Sequence, residues 1–277
     1  MADYFGNHNL FLSDLDANFD LEKCLTNLSK KLQQNPKTII SIFGLAGVGK
    51  GTLSDLLAQK LNIPNLDTGK IWRAITYIYT TLNLEISPEN SDLVLNLLEV
   101  SIKDAKFEFQ FQDKILTHTD LKNGLIDSKV SIIARNNYTY NRFFDKCLEV
   151  YRSVGVAFVR DGRGATPRDI AMACDDGFKI IKILVDCSDE VKWQRYYHNI
   201  FLNKRGNNLN LENTTEFETS LKKEFEINII ARNNRDIINQ IELGNGLITP
   251  DTGVINNDKL NPNQVLELAL KFIDSNL

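Results

Sequence analysis

The order of apolar and polar residues predicts strands and helices that alternate along the chain. TIISIFG (38–44) is a β-branched run typical of a buried strand. After the next glycines, LSDLLAQKL (53–61) repeats apolar residues with helical spacing. A strand, a glycine loop and a helix in this order are typical of an α/β protein with a parallel sheet.

The same patterns predict the rest of the fold. Alternating residues in KFEFQFQDKILTHT predict a small hairpin, and GLITPDTG predicts a final strand and turn. Helices are expected over 71–82, 91–100, 130–154, 188–206 and 261–273, and buried strands at the starts of 156–164 and 179–188.

An amphipathic helix is expected near the N-terminus. In LEKCLTNLSKKL, four leucines recur three or four residues apart and form one apolar face: Leu21, Leu25, Leu28 and Leu32. We expect this leader, residues 1–36, to pack on the body of the protein; a helix that binds a partner is the alternative.

Composition excludes several classes of function. With 277 residues, a net charge of −4 and a pI near 5.5, the chain shows no general attraction to nucleic acid. It has no apolar run near the ~18 residues of a membrane span and no CxxC pair among its four cysteines. The first residues are acidic and contain no continuous apolar segment, so we expect no secretory signal. We expect a cytoplasmic protein, monomeric, with neither a membrane nor a nucleic-acid partner.

A phosphate-binding loop is the strongest chemical signal. Gly44, Leu45, Ala46, Gly47, Val48, Gly49 and Lys50 satisfy G-x-x-x-x-G-K between a predicted strand and a predicted helix. Glycines let backbone N–H groups turn toward phosphate oxygens, and Lys50 adds a full positive charge. Gly51 occupies the position where Ser or Thr commonly follows the lysine, so Thr52 supplies the nearest hydroxyl for phosphate or Mg²⁺.

Four stretches beyond the phosphate-binding loop carry a further signal: LDTGKIWR (66–73), VRDGR (159–163), the stretch after Ser188, and RNNRD (232–236). Together with the loop string GxxGxGKGT, they make the chain resemble the cytidylate (CMP) kinase family of P-loop nucleoside-monophosphate kinases. LDTGKIWR resembles the family pattern L-D-[ST]-G-A-x-Y-R, and VRDGR resembles A-D-G-R-D. RNNRD resembles R-D-x-R-D, and the stretch after Ser188 resembles the start of the lid helix. The similarity covers about residues 37–277 and indicates a divergent member.

The resemblance implies a kinase domain over 37–277 with three parts. These are a P-loop α/β core (37–69, 155–187 and 240–277), an inserted monophosphate-binding subdomain with the hairpin (70–154), and a helical lid (188–239). The implied reaction is phosphoryl transfer from ATP, with Mg²⁺, to a nucleoside monophosphate, CMP or dCMP being the leading acceptor.

Site residues follow by the same resemblance. Lys50, Arg163, Arg195 and Arg232 would stabilise the transferring phosphoryl group, because such a transfer needs several cations. The loop from Gly44 to Thr52, with Lys192 and Arg195, would bind ATP, and Thr52 would contact the metal. Acceptor contacts would come from six residues: Thr68, Arg73, Asp161, Arg163, Arg232 and Asp236.

Departures from the family pattern concentrate on the acceptor side. The second Asp of A-D-G-R-D is Gly164, and the Ala and Tyr of the L-D-[ST]-G pattern are Lys70 and Trp72. A base-contacting Ser is Arg135, a base-contacting Arg is Phe144 (or Arg142, after a two-residue shift), and a later Arg is Asn239. Two alternatives therefore stay open: a kinase of another small acceptor, and a non-catalytic nucleotide-binding regulator.

Overall fold

The computed structural model describes residues 11–162, 172–205, 214–231, 233–234 and 251–277. Its helices are α1 (Leu21–Gln34), α2 (Lys50–Leu61), α3 (Thr68–Thr81), α4 (Pro88–Leu97), α5 (His118–Leu121), α6 (Gly124–Ile133), α7 (Asn137–Val154), α8 (Asp189–Arg205), α9 (Thr214–Phe225) and α10 (Pro262–Asn276). The strands are β1 (Thr38–Phe43), β2 (Asn65–Asp67), β3 (Leu98–Lys103), β4 (Lys106–Phe111), β5 (Lys114–Ile115), β6 (Phe158–Gly162), β7 (Lys179–Asp186) and β8 (Thr252–Asn256). A π-helical turn, Glu226–Ile230, continues α9.

A five-stranded sheet lies at the centre, in the order β2-β6-β1-β7-β8, and all its strand pairs are parallel. All six residues of β1 are buried. One core cluster packs α1, α2 and α10 on one face of the sheet, and a second packs α3, α4 and α7 on the other. The predicted α/β class, a parallel sheet flanked by helices, is therefore confirmed. Because the strands are parallel, the loops at their carboxyl ends meet along one edge.

The predicted hairpin is present as β4 and β5, with an additional strand beside it. β3 pairs antiparallel with β4 from Leu98 to Lys103, so the predicted helix over 91–100 was wrong beyond Leu97. Burial alternates along β3, which is the two-residue period of a strand.

Two other predicted elements have different bounds. The helix expected over 130–154 is broken, because Asn136 caps α7 by accepting from the Thr139 N–H. At Thr252 and Gly253 the sequence predicted a turn, but both residues pair with β7 and begin β8; the predicted strand residues before Asp251 lie outside the described residues.

The helix predicted in the leader is α1, and its apolar face is buried. Leu25, Leu28 and Leu32 join the core cluster of α2 and α10. The Asn27 amide donates to the Asp274 carboxylate at 2.7 Å. Within the described part of the chain, no helix is both long and apolar enough to cross a membrane.

Candidate active site

The phosphate-binding loop connects β1 to α2 and requires glycine at two points. Gly44 has a φ of 151°, and a Cβ there would lie 2.3 Å from the Val185 carbonyl oxygen. Gly49, at a φ of 93°, precedes α2 and has no side chain that could cap the helix. The first N–H groups of α2 therefore remain available to an anion.

A buried carboxylate faces the start of α2. The Asp161 carboxylate lies beside Gly51, where an added Cβ would be 3.4 Å from its Oδ2. Burial raises the pKa of Asp161 to about 6; the nearby Lys50 charge opposes this rise and Asp67 adds to it. Asp161 Oδ1 is buried and has no hydrogen-bond partner among the described residues. The site therefore holds a carboxylate oxygen ready to accept a hydrogen bond.

Arg195 and Asn257 hold the outer side of the loop. Asn257, 4% exposed, donates from Nδ2 to the Val48 carbonyl oxygen at 2.6 Å. Arg195 Nη1 donates to the same oxygen at 3.2 Å and to Asn257 Oδ1 at 3.1 Å. Sequence analysis missed Asn257, which follows β8, a strand that the sequence did not predict at this position.

Lys192 lies against the loop from α8. Lys192 is 1% exposed, and its Nζ forms an ion pair with the Asp189 carboxylate at 2.8 Å. A Cβ on Gly47 would lie 3.4 Å from Lys192 Cγ. The positive charge of Lys192 is thus placed beside Gly47 and partly neutralised by Asp189.

A cavity of about 590 Å³ opens beside the loop. Gly47, Gly49 and Thr52 form one part of its lining, while Leu53, Leu56, Tyr196, Phe225, Ile229 and Val265 form an apolar part. Such a combination of apolar wall and polar end suits a ligand with a flat ring system and an anionic group.

Across the loop, α3 is joined to β6 by Thr68. Thr68 is 7% exposed, and its hydroxyl donates to the Asp161 carbonyl oxygen at 3.0 Å. Asp67 caps α3 by accepting from the Gly69 N–H at 2.9 Å, as the sequence allowed. The structure therefore brings Lys50, Thr68 and Asp161 together at one edge of the sheet.

Arg73 projects from the first turns of α3 and is held by α5 and α6. Its guanidinium forms an ion pair with Asp127 and donates to the Leu121 carbonyl oxygen at 3.3 Å. An anion that binds Arg73 must compete with the Asp127 carboxylate.

The residues that depart from the family pattern are arranged in three ways. Trp72 stacks on Phe143 with ring centroids 4.2 Å apart, and Phe143 meets the buried Phe144 edge-on at 5.6 Å. Arg142 is committed to ion pairs with Asp92 and Asp145. Lys70 and Arg135 are exposed.

Five residues singled out by sequence lie outside the described residues: Arg163, Gly164, Arg232, Asp236 and Asn239. Within the described ranges there is no group of three or more His, Cys, Asp or Glu side chains arranged to hold a metal ion.

Comparison with known proteins relates this chain to cytidylate kinases in each case. The family model described as cytidylate kinase matches residues 40–275. The cytidylate kinase of Thermodesulfovibrio yellowstonii is 25% identical over 239 residues, covering 86% of this chain and 98% of the relative. That of Aquifex aeolicus is 26% identical, covering 84% and 95%. That of Clostridioides difficile is 29% identical over 127 residues, which is 45% of this chain and 56% of the relative.

The family match includes the phosphate-binding loop, the Thr68–Asp161 contact and α8, and it runs through α10 almost to the last residue. The chain therefore belongs to the cytidylate kinase family and is a nucleoside-monophosphate kinase.

Proposed function

We propose that this kinase transfers the γ-phosphoryl group of ATP to CMP or dCMP, giving ADP and the diphosphate. The observation that carries the proposal is the position of the phosphate-binding loop. It lies between a cavity of about 590 Å³ on one side and the Thr68–Asp161 contact on the other. A donor and an acceptor could therefore reach the Lys50 region from opposite directions.

The donor half of the proposal assigns ATP to the loop and the cavity. The adenine would lie on the apolar wall, and the phosphates would accept from N–H groups between Gly44 and Thr52. Lys50 would stabilise the transferring phosphoryl group, and Lys192 and Arg195 would stabilise the negative charge at the loop.

The residues present also fit Mg²⁺. This ion prefers oxygen ligands and retains several waters. Asp161 supplies a buried oxygen without a partner among the described residues, and Thr52 supplies a hydroxyl on the cavity lining. When bound, Mg²⁺ would neutralise charge on the phosphates.

The acceptor half uses Thr68, Arg73 and Asp161, together with three residues assigned by resemblance alone, Arg163, Arg232 and Asp236. An oxygen of the acceptor phosphate attacks the γ-phosphorus while the bond to the β–γ bridging oxygen breaks, and ADP leaves with that electron pair. The attacking oxygen is already an anion at neutral pH, so positioning and charge suffice and no general base is required.

A monophosphate with another base is the second candidate acceptor. Phe144 occupies the position of a base-contacting Arg in the family pattern, and it is buried in an aromatic cluster. Arg142, the alternative in that alignment, is held by Asp92 and Asp145. A pocket that loses a polar contact changes its preference, because the partner left unpaired is costly.

The direct test is phosphoryl transfer by the purified protein with Mg·ATP and CMP, dCMP, UMP, AMP or GMP in turn. ADP and the diphosphate should both form, fastest with CMP or dCMP. Faster turnover with another base would select the second candidate, and no acceptor-dependent turnover with any of them would reject the proposal.

A matched pair of lysine variants tests the site. Lys50→Ala should reduce kcat by about 10²–10³-fold, because a preorganised cation at the phosphoryl group is lost. Lys60→Ala, on the exposed end of the same helix, should leave kcat unchanged. Equal kcat values for the two variants would place the reaction elsewhere.

A further inference from the structure

One asparagine satisfies both backbone groups of a loop residue that is 187 positions away. Asn233 Oδ1 accepts from the Ala46 N–H at 2.9 Å, and Asn233 Nδ2 donates to the Ala46 carbonyl oxygen at 3.3 Å. Asn233 is 4% exposed and Ala46 is 7% exposed. Both hydrogen bonds are therefore buried, where losing a partner costs most.

The Asn233 amide can form both contacts at neutral pH, whereas an ionised Asp at this position could not. An ionised carboxylate accepts but cannot donate, so it would bond to the Ala46 N–H and repel the Ala46 carbonyl oxygen. Asn233 occupies a position where the family pattern R-D-x-R-D has Asp. The two-bond contact is thus specific to the residue that this chain carries.

The contact leaves the rest of the loop free for phosphate. Asn233 uses the N–H and C=O of Ala46, and Asn257 and Arg195 use the C=O of Val48. None of these contacts uses the N–H groups of Gly49 and the residues that begin α2. The contacts at Ala46 and Val48 therefore fix the loop, while the N–H groups that would bind an anion remain available.

We infer that Asn233 is a positioning residue that orders the phosphate-binding loop before nucleotide binds. The inference rests on the proposed ATP site. A loop already held in its binding shape loses less conformational entropy when it binds phosphate. Asn233 also follows Arg232 directly in the chain, so the same contact restrains the backbone next to a proposed acceptor residue.

The test is the affinity of Mg·ADP for the full chain, measured by calorimetry between about pH 5.5 and pH 8, without any acceptor. Asn233→Asp should bind Mg·ADP roughly tenfold or more weakly at pH 8, because one buried hydrogen bond becomes a repulsion. As the pH falls, the introduced carboxyl gains a proton and can again donate to Ala46, so its affinity should approach that of the wild type. Burial and the facing carbonyl oxygen should bring this titration into the measured range.

The effect of the introduced carboxyl must be separated from that of the charged groups already near the loop. Lys50 and Asp161 face the loop from α2 and β6, and Lys192, Arg195 and Asp189 face it from α8. Burial raises the pKa of Asp161 to about 6. Because these groups are common to all the proteins, each affinity is compared with the wild type at the same pH.

Two control variants make the result decisive. Asn233→Ala lacks both bonds and cannot regain them, so its loss of affinity should be similar at every pH. Asn234→Asp introduces the same charge at the exposed neighbouring residue and should match the wild type throughout. Thermal unfolding identifies any variant that fails to fold.

The inference is overturned if Asn233→Ala binds Mg·ADP like the wild type, if the deficit of Asn233→Asp is independent of pH, or if Asn234→Asp reproduces it. Acceptor-dependent turnover is measured separately. Its absence in the wild type would reject the proposed reaction, while the affinities would still decide the role of Asn233.

Discussion

The Arg195 guanidinium and the Asn257 side chain meet on one backbone oxygen, that of Val48 in the phosphate-binding loop. They also contact each other, since Arg195 Nη1 donates to Asn257 Oδ1 at 3.1 Å and Arg195 Nη2 donates to the Asn257 carbonyl oxygen at 3.1 Å. The first helix of the predicted lid is thereby connected to the loop and to the carboxyl end of β8.

Asn257→Ala should weaken ATP binding. The substitution removes a buried donor to Val48 and an acceptor for Arg195, so the KM for ATP is expected to rise by about tenfold. Steady-state kinetics at saturating acceptor would measure it. Asn96→Ala, at an exposed position of α4, is the control and should change KM little. An unchanged KM in Asn257→Ala would mean that Arg195 holds the Val48 carbonyl oxygen without help from Asn257.

Asp161 should make the stability of the unliganded protein depend on pH. Its folded pKa, about 6, lies above its usual value of 3.8, so the folded state binds the proton more tightly than the unfolded state. Its contribution to stability is therefore present at low pH and is lost as the pH rises through about 6. Asp161→Asn, which stays neutral, should gain stability relative to the wild type between about pH 4 and pH 7.

Denaturant unfolding at a series of pH values would measure this difference. Glu99→Gln, at an exposed position of β3, provides the matched control and should show no such trend. A constant difference between Asp161→Asn and the wild type over this pH range would contradict the burial of an ionisable Asp161.

Gly44 and Gly51 should differ sharply in their tolerance of alanine. A methyl group at Gly44 would overlap the Val185 carbonyl oxygen at a strained φ, so Gly44→Ala should lose about 2 kcal/mol or more of unfolding free energy. At Gly51 the nearest atom would be at an ordinary 3.4 Å, so Gly51→Ala should stay within about 1 kcal/mol of the wild type. Denaturant unfolding compares them; equal losses would be incompatible with this loop geometry.

Asp127 should compete with the acceptor for Arg73. Asp127→Asn removes the ion pair, and because exposed pairs contribute about 0–1 kcal/mol, the KM for the acceptor should fall by up to about fivefold. Arg73→Ala should raise it by about tenfold or more. Asp113→Asn, at the exposed hairpin turn, should have no effect. A rise in KM for Asp127→Asn would show that Asp127 helps the acceptor to bind.

The leader helix should contribute to stability. Leu28 lies on the buried face of α1 and is fully buried. Leu28→Ala should therefore cost about 2–5 kcal/mol of unfolding free energy. Lys30→Ala, on the exposed face of the same helix, should cost less than about 0.5 kcal/mol. Denaturant unfolding of both variants decides the question: a neutral Leu28→Ala would favour the alternative, a helix that binds a partner.

Local patterns predicted the elements whose signals lie within a few residues. The β-branched run of β1, the glycines before Lys50 and the leucine spacing of α1 each encode structure at short range, and the structure contains all three elements. The same approach predicted a helix at Leu98 and a turn at Thr252, and both predictions were wrong. There, pairing with β4 and β7 selects the strand over the local preference.

The sequence by itself determined the class of protein and the position of the predicted phosphate-binding loop, because a G-x-x-x-x-G-K string between a strand and a helix carries its own geometry. Only the tertiary structure decided what holds that loop. Asn233 and Asn257 follow Ala46 and Val48 by 187 and 209 residues, and no periodicity links residues so far apart. The pKa of Asp161 was likewise decided by burial and by neighbouring charges, which depend on the path of the folded chain.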